Sequence, residues 1–153
     1  MIYRELGQSG VQVSAIAFGA WAIGGFMWGG SDEKQAIAAI RHGFELGVTT
    51  IDTAPIYGMG LSEELVGKAV QDRRDQFQIM TKFGIRWKQK GTQQQFRSQK
   101  DYEQLMQQIY YTARKENIIQ ECEDSLRRLG TDYIDYYQHH RPSEDADVTE
   151  VME

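Results

Sequence analysis

VTTIDTAPIYGMGLSEELVGKAV, residues 48–70, is the stretch from which the architecture can be read. Val48-Thr49-Thr50-Ile51-Asp52 is a β-branched run ending in a carboxylate, and such side chains pack well on a pleated surface, so the run reads as a strand. Thr53 to Gly60 contains a proline and two glycines and reads as a loop. Ser62 then opens a helix in which Leu65, Val66 and Ala69 recur at helical spacing. Strand, loop and helix in that order are the repeating unit of a parallel sheet covered by helices.

The unit recurs on both sides. Upstream, Ala15-Ile16-Ala17-Phe18-Gly19 is a short apolar run, as expected of a strand buried on both faces, and a glycine-rich loop, Gly24 to Gly30, follows it. Ser31 is the expected N-cap of a helix with Asp32 and Glu33 in its first turn and Ala36, Ile37, Ile40 and Phe44 on one side, ending at Gly47. Downstream, Gln78 to Lys82 reads as a third strand. A polar segment from Gly84 to Lys115 comes next, then a helix with Ile118, Ile119, Cys122, Leu126 and Leu129 on one face. Tyr133 to Gln138 reads as a fourth strand, and an acidic stretch begins another helix near Val148. Before all of this, Ile2–Leu6 and Val11–Val13 flank the turn Gly7-Gln8-Ser9-Gly10 and predict a hairpin over residues 1–13. Residues 14–153 thus hold four βα units, in either a doubly wound sheet or part of a (β/α) barrel, and periodicity does not choose between them. The 84–115 segment is a loop by pattern, but its aromatics Trp87, Phe96, Tyr102, Tyr110 and Tyr111 argue that it carries function.

Composition excludes several classes. The 153 residues are 41% hydrophobic and 25% charged, the balance of an ordinary globular chain. A net charge of -5 with scattered Lys and Arg gives no electrostatic footprint for nucleic acid or anionic lipid. No apolar run approaches the roughly 20 residues that span a bilayer, and MIYRELGQSG lacks the plan of a signal peptide, so no membrane partner is expected. The single cysteine, Cys122, fits a small packing residue in a reducing compartment, and the expected location is cytoplasmic.

Four polar residues stand where strands run out into loops, the common site face of parallel sheets: Asp52, Tyr57, Lys82 and His140. Singly, Asp52 could cap a helix, Tyr57 could pack, Lys82 could be a solvated strand end and His140 a loop histidine. Together they can cooperate in proton transfer, because an ammonium stabilises a neighbouring phenolate. The glycines at 24, 25, 29 and 30 form no G-x-G-x-x-G between strand and helix, and no metal is expected.

Ile51-Asp52-Thr53-Ala54-Pro55-Ile56-Tyr57-Gly58 followed by Ser62-Glu63 closely resembles the aldo-keto reductase signature. Phe18-Gly19-Ala20-Trp21, Thr81-Lys82 and the Ser125 to Asp135 segment resemble further landmarks of that family, so the likeness covers essentially the whole chain. It implies a (β/α)8 barrel whose bottom is closed by the hairpin, and NADPH-dependent reduction of small aldehydes or ketones. It implies Tyr57 as general acid, Lys82 held by Asp52 beside it, and His140 on the carbonyl oxygen. The family pattern selects His140 over His139, and Arg141 departs from the aromatic commoner at its position. Ala20, Trp21, Asp52 and His140 would touch the cofactor, while Trp21, then Trp28 and Trp87, would line the carbonyl pocket. Such a barrel needs about 250 residues, so four units leave two strand edges and an inner face open. Three explanations fit: a truncated or proteolysed product, pairing with a separate second-half chain, or self-association of two halves. The alternative reading is a non-catalytic binding or regulatory module that keeps the fold, as potassium-channel β subunits do.

Overall fold

The computed structural model describes residues 1–25, 28–88, 99–147, 149 and 151. Four strands, β3 (Ala17–Gly19), β4 (Thr50–Asp52), β5 (Gln78–Phe83) and β8 (Tyr136–His139), form one parallel sheet in the order β3-β4-β5-β8. Phe18 pairs with Ile51, Ile51 with Ile79, and Thr81 with Tyr137. Helices α1 (Glu33–Glu45), α2 (Leu61–Val70) and α4 (Lys115–Leu129) connect these strands. Their apolar side chains meet the sheet in a core of Ile40, Val66, Val70 and Leu129 against Ile51, Phe77 and Ile79, with Phe18 and Phe44 at its border.

The opposite face of the sheet is open. Ala17 and Gly19 are exposed and Tyr136 is 44% exposed, which corrects the expectation that the first strand is buried on both sides. Alternation sends Phe18 to the helices and its neighbours to an uncovered inner face. The antiparallel hairpin β1 (Tyr3–Glu5) and β2 (Gln12–Ser14) sits where predicted. It is anchored at the N-terminal end of β4, where Ser14 Oγ accepts from the Thr49 and Thr50 amides and the Tyr3 hydroxyl donates to the Gly47 carbonyl.

Two helices differ from expectation in detail. Asp32, not Ser31, caps α1, its carboxylate accepting from the Gln35 amide at 3.0 Å. In α4 the most buried row is Glu121, Ser125 and Leu129, whereas Ile119 is 50% exposed and Cys122 only partly buried. Burial of Glu121 and Ser125 is set by tertiary hydrogen bonds, which apolar periodicity does not register.

The 84–115 segment is more than a loop. β6 (Ile85–Trp87) and β7 (Ile109–Tyr111) form an antiparallel ribbon that rises from the end of β5, with α3 (Gln99–Gln108) preceding β7. The Thr112 amide donates to the Gly84 carbonyl and closes the base of this ribbon. Phe96, the ring of Tyr102 and Val148 lie outside what the structure describes. No helix among the described residues is long and apolar enough to cross a membrane.

Candidate active site

Lys82 is the centre of the site. Its ammonium donates to Asp52 Oδ1 at 2.6 Å, to the Thr53 carbonyl at 2.8 Å and to the Tyr57 hydroxyl at 3.2 Å. An ammonium has three donors, and all three are engaged. The sheet register explains the meeting: Asp52 pairs with Met80, so Lys82 stands one step further up the same face of the adjacent strand. With only 11% of its side chain exposed, the lysine needs the carboxylate beside it to keep its charge out of water.

Tyr57 arrives from the loop between β4 and α2. Gly58 follows it with φ +66°, and a side chain at Gly58 would come within 2.2 Å of the Gly24 carbonyl oxygen. Only glycine permits so close an approach, and it draws the Trp21–Gly24 turn against the tyrosine. The Trp21 ring consequently lies 6.3 Å from that of Tyr57, and Trp28 stands edge-on to Trp21 at 6.0 Å. The two indoles remain 43% and 58% exposed, while Trp87 belongs to the ribbon.

The two adjacent histidines take opposite sides. His140 presents its ring at 90° to Tyr57 with the centroids 5.8 Å apart, while His139 stacks on Phe83. Burial, and secondly the Lys82 charge, push the His140 imidazole down to about 4, against a smaller upward pull from Asp52. The ring is therefore neutral at pH 7 and keeps one N–H donor.

Ala20 is set back from these side chains. It is fully buried, its amide donating to the Asp52 carbonyl and its own carbonyl accepting from Ser62 Oγ, so it fastens β3 to β4 and α2. Ser62 also meets Thr53 Oγ1, and the fully buried Glu63 accepts from Thr81 Oγ1 and Arg128 Nε, both at 2.6 Å. The start of α2 thereby ties the ends of β3, β4 and β5 together around Lys82. Gln138 was missed in the sequence: it pairs with Lys82 across the strands, and its amide lies 3.5 Å from Asp52 Oδ2. The signal was present, because a period of two places Gln138 and His140 on one face.

A hollow of about 780 Å³ lined by Gln71, Asp72, Arg73, Thr131 and Asp132 lies at the other end of the strands. Its neighbour Arg74 is committed to Asp135, Thr131 and two carbonyls, so it is a structural clasp and not a second site. No cluster fit to hold a metal occurs among the described residues.

A parallel sheet presenting Asp, Tyr, Lys and His at its carboxyl edge is the arrangement of an acid–base site in a (β/α) barrel. The chain belongs to the Aldo/keto reductase family, whose profile matches residues 15–153. It is 42% identical to the aldo-keto reductase YhdN of Bacillus subtilis, across 100% of this chain and 42% of that protein. Among solved structures, aldo-keto reductase AKR11C1 from Bacillus halodurans superposes with a TM-score of 0.80 at 34% identity, over 99% of this chain and 44% of that one. A Klebsiella pneumoniae aldo/keto reductase, solved in complex with NADP and acetate, superposes with a TM-score of 0.63 at 31% identity over 88% of this chain and 38% of its own. The four strands are therefore part of a (β/α)8 barrel, and the chain spans less than half the length of these relatives.

Proposed function

We propose that this chain carries the acid–base centre of an NADPH-dependent reductase that converts aldehydes or ketones to alcohols, with Tyr57 as the general acid. The observation that carries the reading is the Lys82 ammonium, shared among Asp52, the Thr53 carbonyl and the Tyr57 hydroxyl. Kinship with a reductase solved with NADP supports the cofactor. The residues present also fit a flat nicotinamide ring. Gly19 is exposed with open space where a side chain would stand, and the Trp21 ring is uncovered beside Tyr57. Trp21, Asp52 and His140 would border that ring. When bound, the cofactor supplies a hydride to the carbonyl carbon.

The remaining steps belong to the chain. The Tyr57 hydroxyl gives its proton to the carbonyl oxygen, and the phenolate left behind is stabilised by the ammonium at 3.2 Å. Asp52 holds that ammonium in place, and solvent returns the proton to the phenolate. His140, neutral, donates a hydrogen bond to the carbonyl oxygen and orients it.

The test combines an NADPH fluorescence titration with a reductase assay of the wild type and Tyr57→Phe. Saturable binding is expected, with the variant's kcat lowered about 100-fold or more and its NADPH affinity retained. A Tyr57→Phe variant with undiminished turnover would overturn the assignment. Binding without any reductase activity in the wild type would favour a non-catalytic module instead.

A further inference from the structure

We propose that Arg141 is a specificity-determining residue that favours carbonyl substrates bearing a second, anionic oxygen group, a carboxylate or a phosphate, over neutral ones. The inference deepens the reductase reading and rests on it. Position is the first support: Arg141 directly follows His140 just past the end of β8, at the carboxyl edge of the sheet that also carries Lys82 and Tyr57.

Orientation is the second. The guanidinium lies over the Tyr111 ring, 4.9 Å from its centroid, and donates from Nη1 to the Tyr111 hydroxyl at 3.3 Å. Tyr111 is itself held in the ribbon opposite Ile85, so the arginine rests on a fixed platform and less of its freedom is lost on binding a ligand.

Charge is the third. Arg74, Arg127 and Arg128 each meet a carboxylate, of Asp135, Asp124 and Glu63. Arg141 is held by a phenol, which orients a guanidinium without neutralising it. The nearby Asp145 is engaged by Thr112 Oγ1, the Ala113 amide and Arg114. Arg86 and Lys88 add charge of the same sign along the ribbon, and Arg86 too is hydrogen-bonded to a neutral group, Asn117. A planar guanidinium fork matches a carboxylate or phosphate edge.

The experiment measures binding of benzaldehyde, 4-formylbenzoate and 4-formylphenyl phosphate to the chain by NMR, following the Arg141 Nε–H and Trp21 indole signals. All three carry the same aldehyde, so differences report the second group alone. The wild type is expected to bind at least one anionic aldehyde about tenfold or more tighter than benzaldehyde, the tighter of the two identifying the group. Arg141→Met should abolish this preference and leave benzaldehyde affinity unchanged; Arg141→Lys should keep part of it. Equal affinities in the wild type, or a preference that survives Arg141→Met, would overturn the proposal. Binding is read without turnover, so an absence of reductase activity would count against the reductase reading and not be confused with this result.

Discussion

At the level of single residues, the site depends on opposite treatments of two charges. Lys82 is paired with a carboxylate at 2.6 Å, whereas His140, beside it, is kept neutral by burial and by that same lysine. An imidazole held down to about 4, against an ordinary value of 6.5, makes a specific prediction. In an NMR titration the His140 ring should remain neutral through pH 5 and take up its proton only near pH 4; a midpoint near 6.5 would mean that the ring is neither buried nor set beside the ammonium. The sign of the linked stability follows. Below pH 6.5 the unfolded chain binds a proton that the folded ring refuses, so stability present above 6.5 is lost as the pH falls towards 4. Asp52 and Lys82 could be read from the strands they close, because β-branched and apolar runs disclose those strands, whereas His140 was told from His139 only by the family pattern. Tyr57 was legible mainly through the family signature, since nothing in a loop residue's spacing says where its ring will point. Gln138 was overlooked as one more polar residue in a strand, although alternation places it on the face of His140; the register that sets it beside Lys82 is tertiary.

Secondary-structure elements were legible according to how far their own residues determine them. Helix α1 shows its apolar side chains at helical spacing and was read almost to its ends. Strands β6 and β7 have three residues each, too few for alternation to show, and they exist because they pair with one another across the segment between them. Helix α4 was read with the wrong buried row because two of that row's members are polar. Glu121 is 4% exposed and accepts from the Gly84 amide at 3.1 Å, fastening α4 to the bend where β5 gives way to the ribbon. Burial raises its carboxyl to about 7, and the Gly84 amide and Arg86 only partly oppose this. Between 4.5 and 7 the unfolded carboxyl ionises while the folded one retains its proton, so folding grows less favourable as the pH rises. Glu121→Gln retains an acceptor for Gly84 without that cost. Its melting temperature should match the wild type near pH 4.5 and exceed it increasingly up to pH 7, by an amount on the order of 3 kcal/mol in stability at the plateau. Melting curves for the two proteins that run parallel across this range would show that Glu121 is already ionised in the fold.

In the molecule as a whole, one side of the sheet is finished and the other is not. Helices α1, α2 and α4 bury the face that carries Phe18, Ile51 and Ile79, and the hairpin anchors at the lower end of β4. The inner face, with Ala17, Gly19 and Tyr136, stays exposed, and Ile16 at its margin is 63% exposed. Strands β3 and β8 are the two ends of the order β3-β4-β5-β8, so each presents one backbone edge to solvent. Unpaired edges favour association, because pairing satisfies their amide groups. The sequence could not show which face would be covered, since an apolar run such as Ala15–Gly19 reads alike whether its second face meets a neighbour or water. In sedimentation velocity over a hundredfold concentration range, the chain alone is expected to shift from monomer to larger species as concentration rises. Adding a separately expressed segment corresponding to the second half of a full-length relative such as YhdN should replace those species with a single heterodimer and protect the amides of β3 and β8 from hydrogen exchange. A chain that remains monomeric throughout, with those edge amides already protected, would mean that its open edges are shielded without any partner.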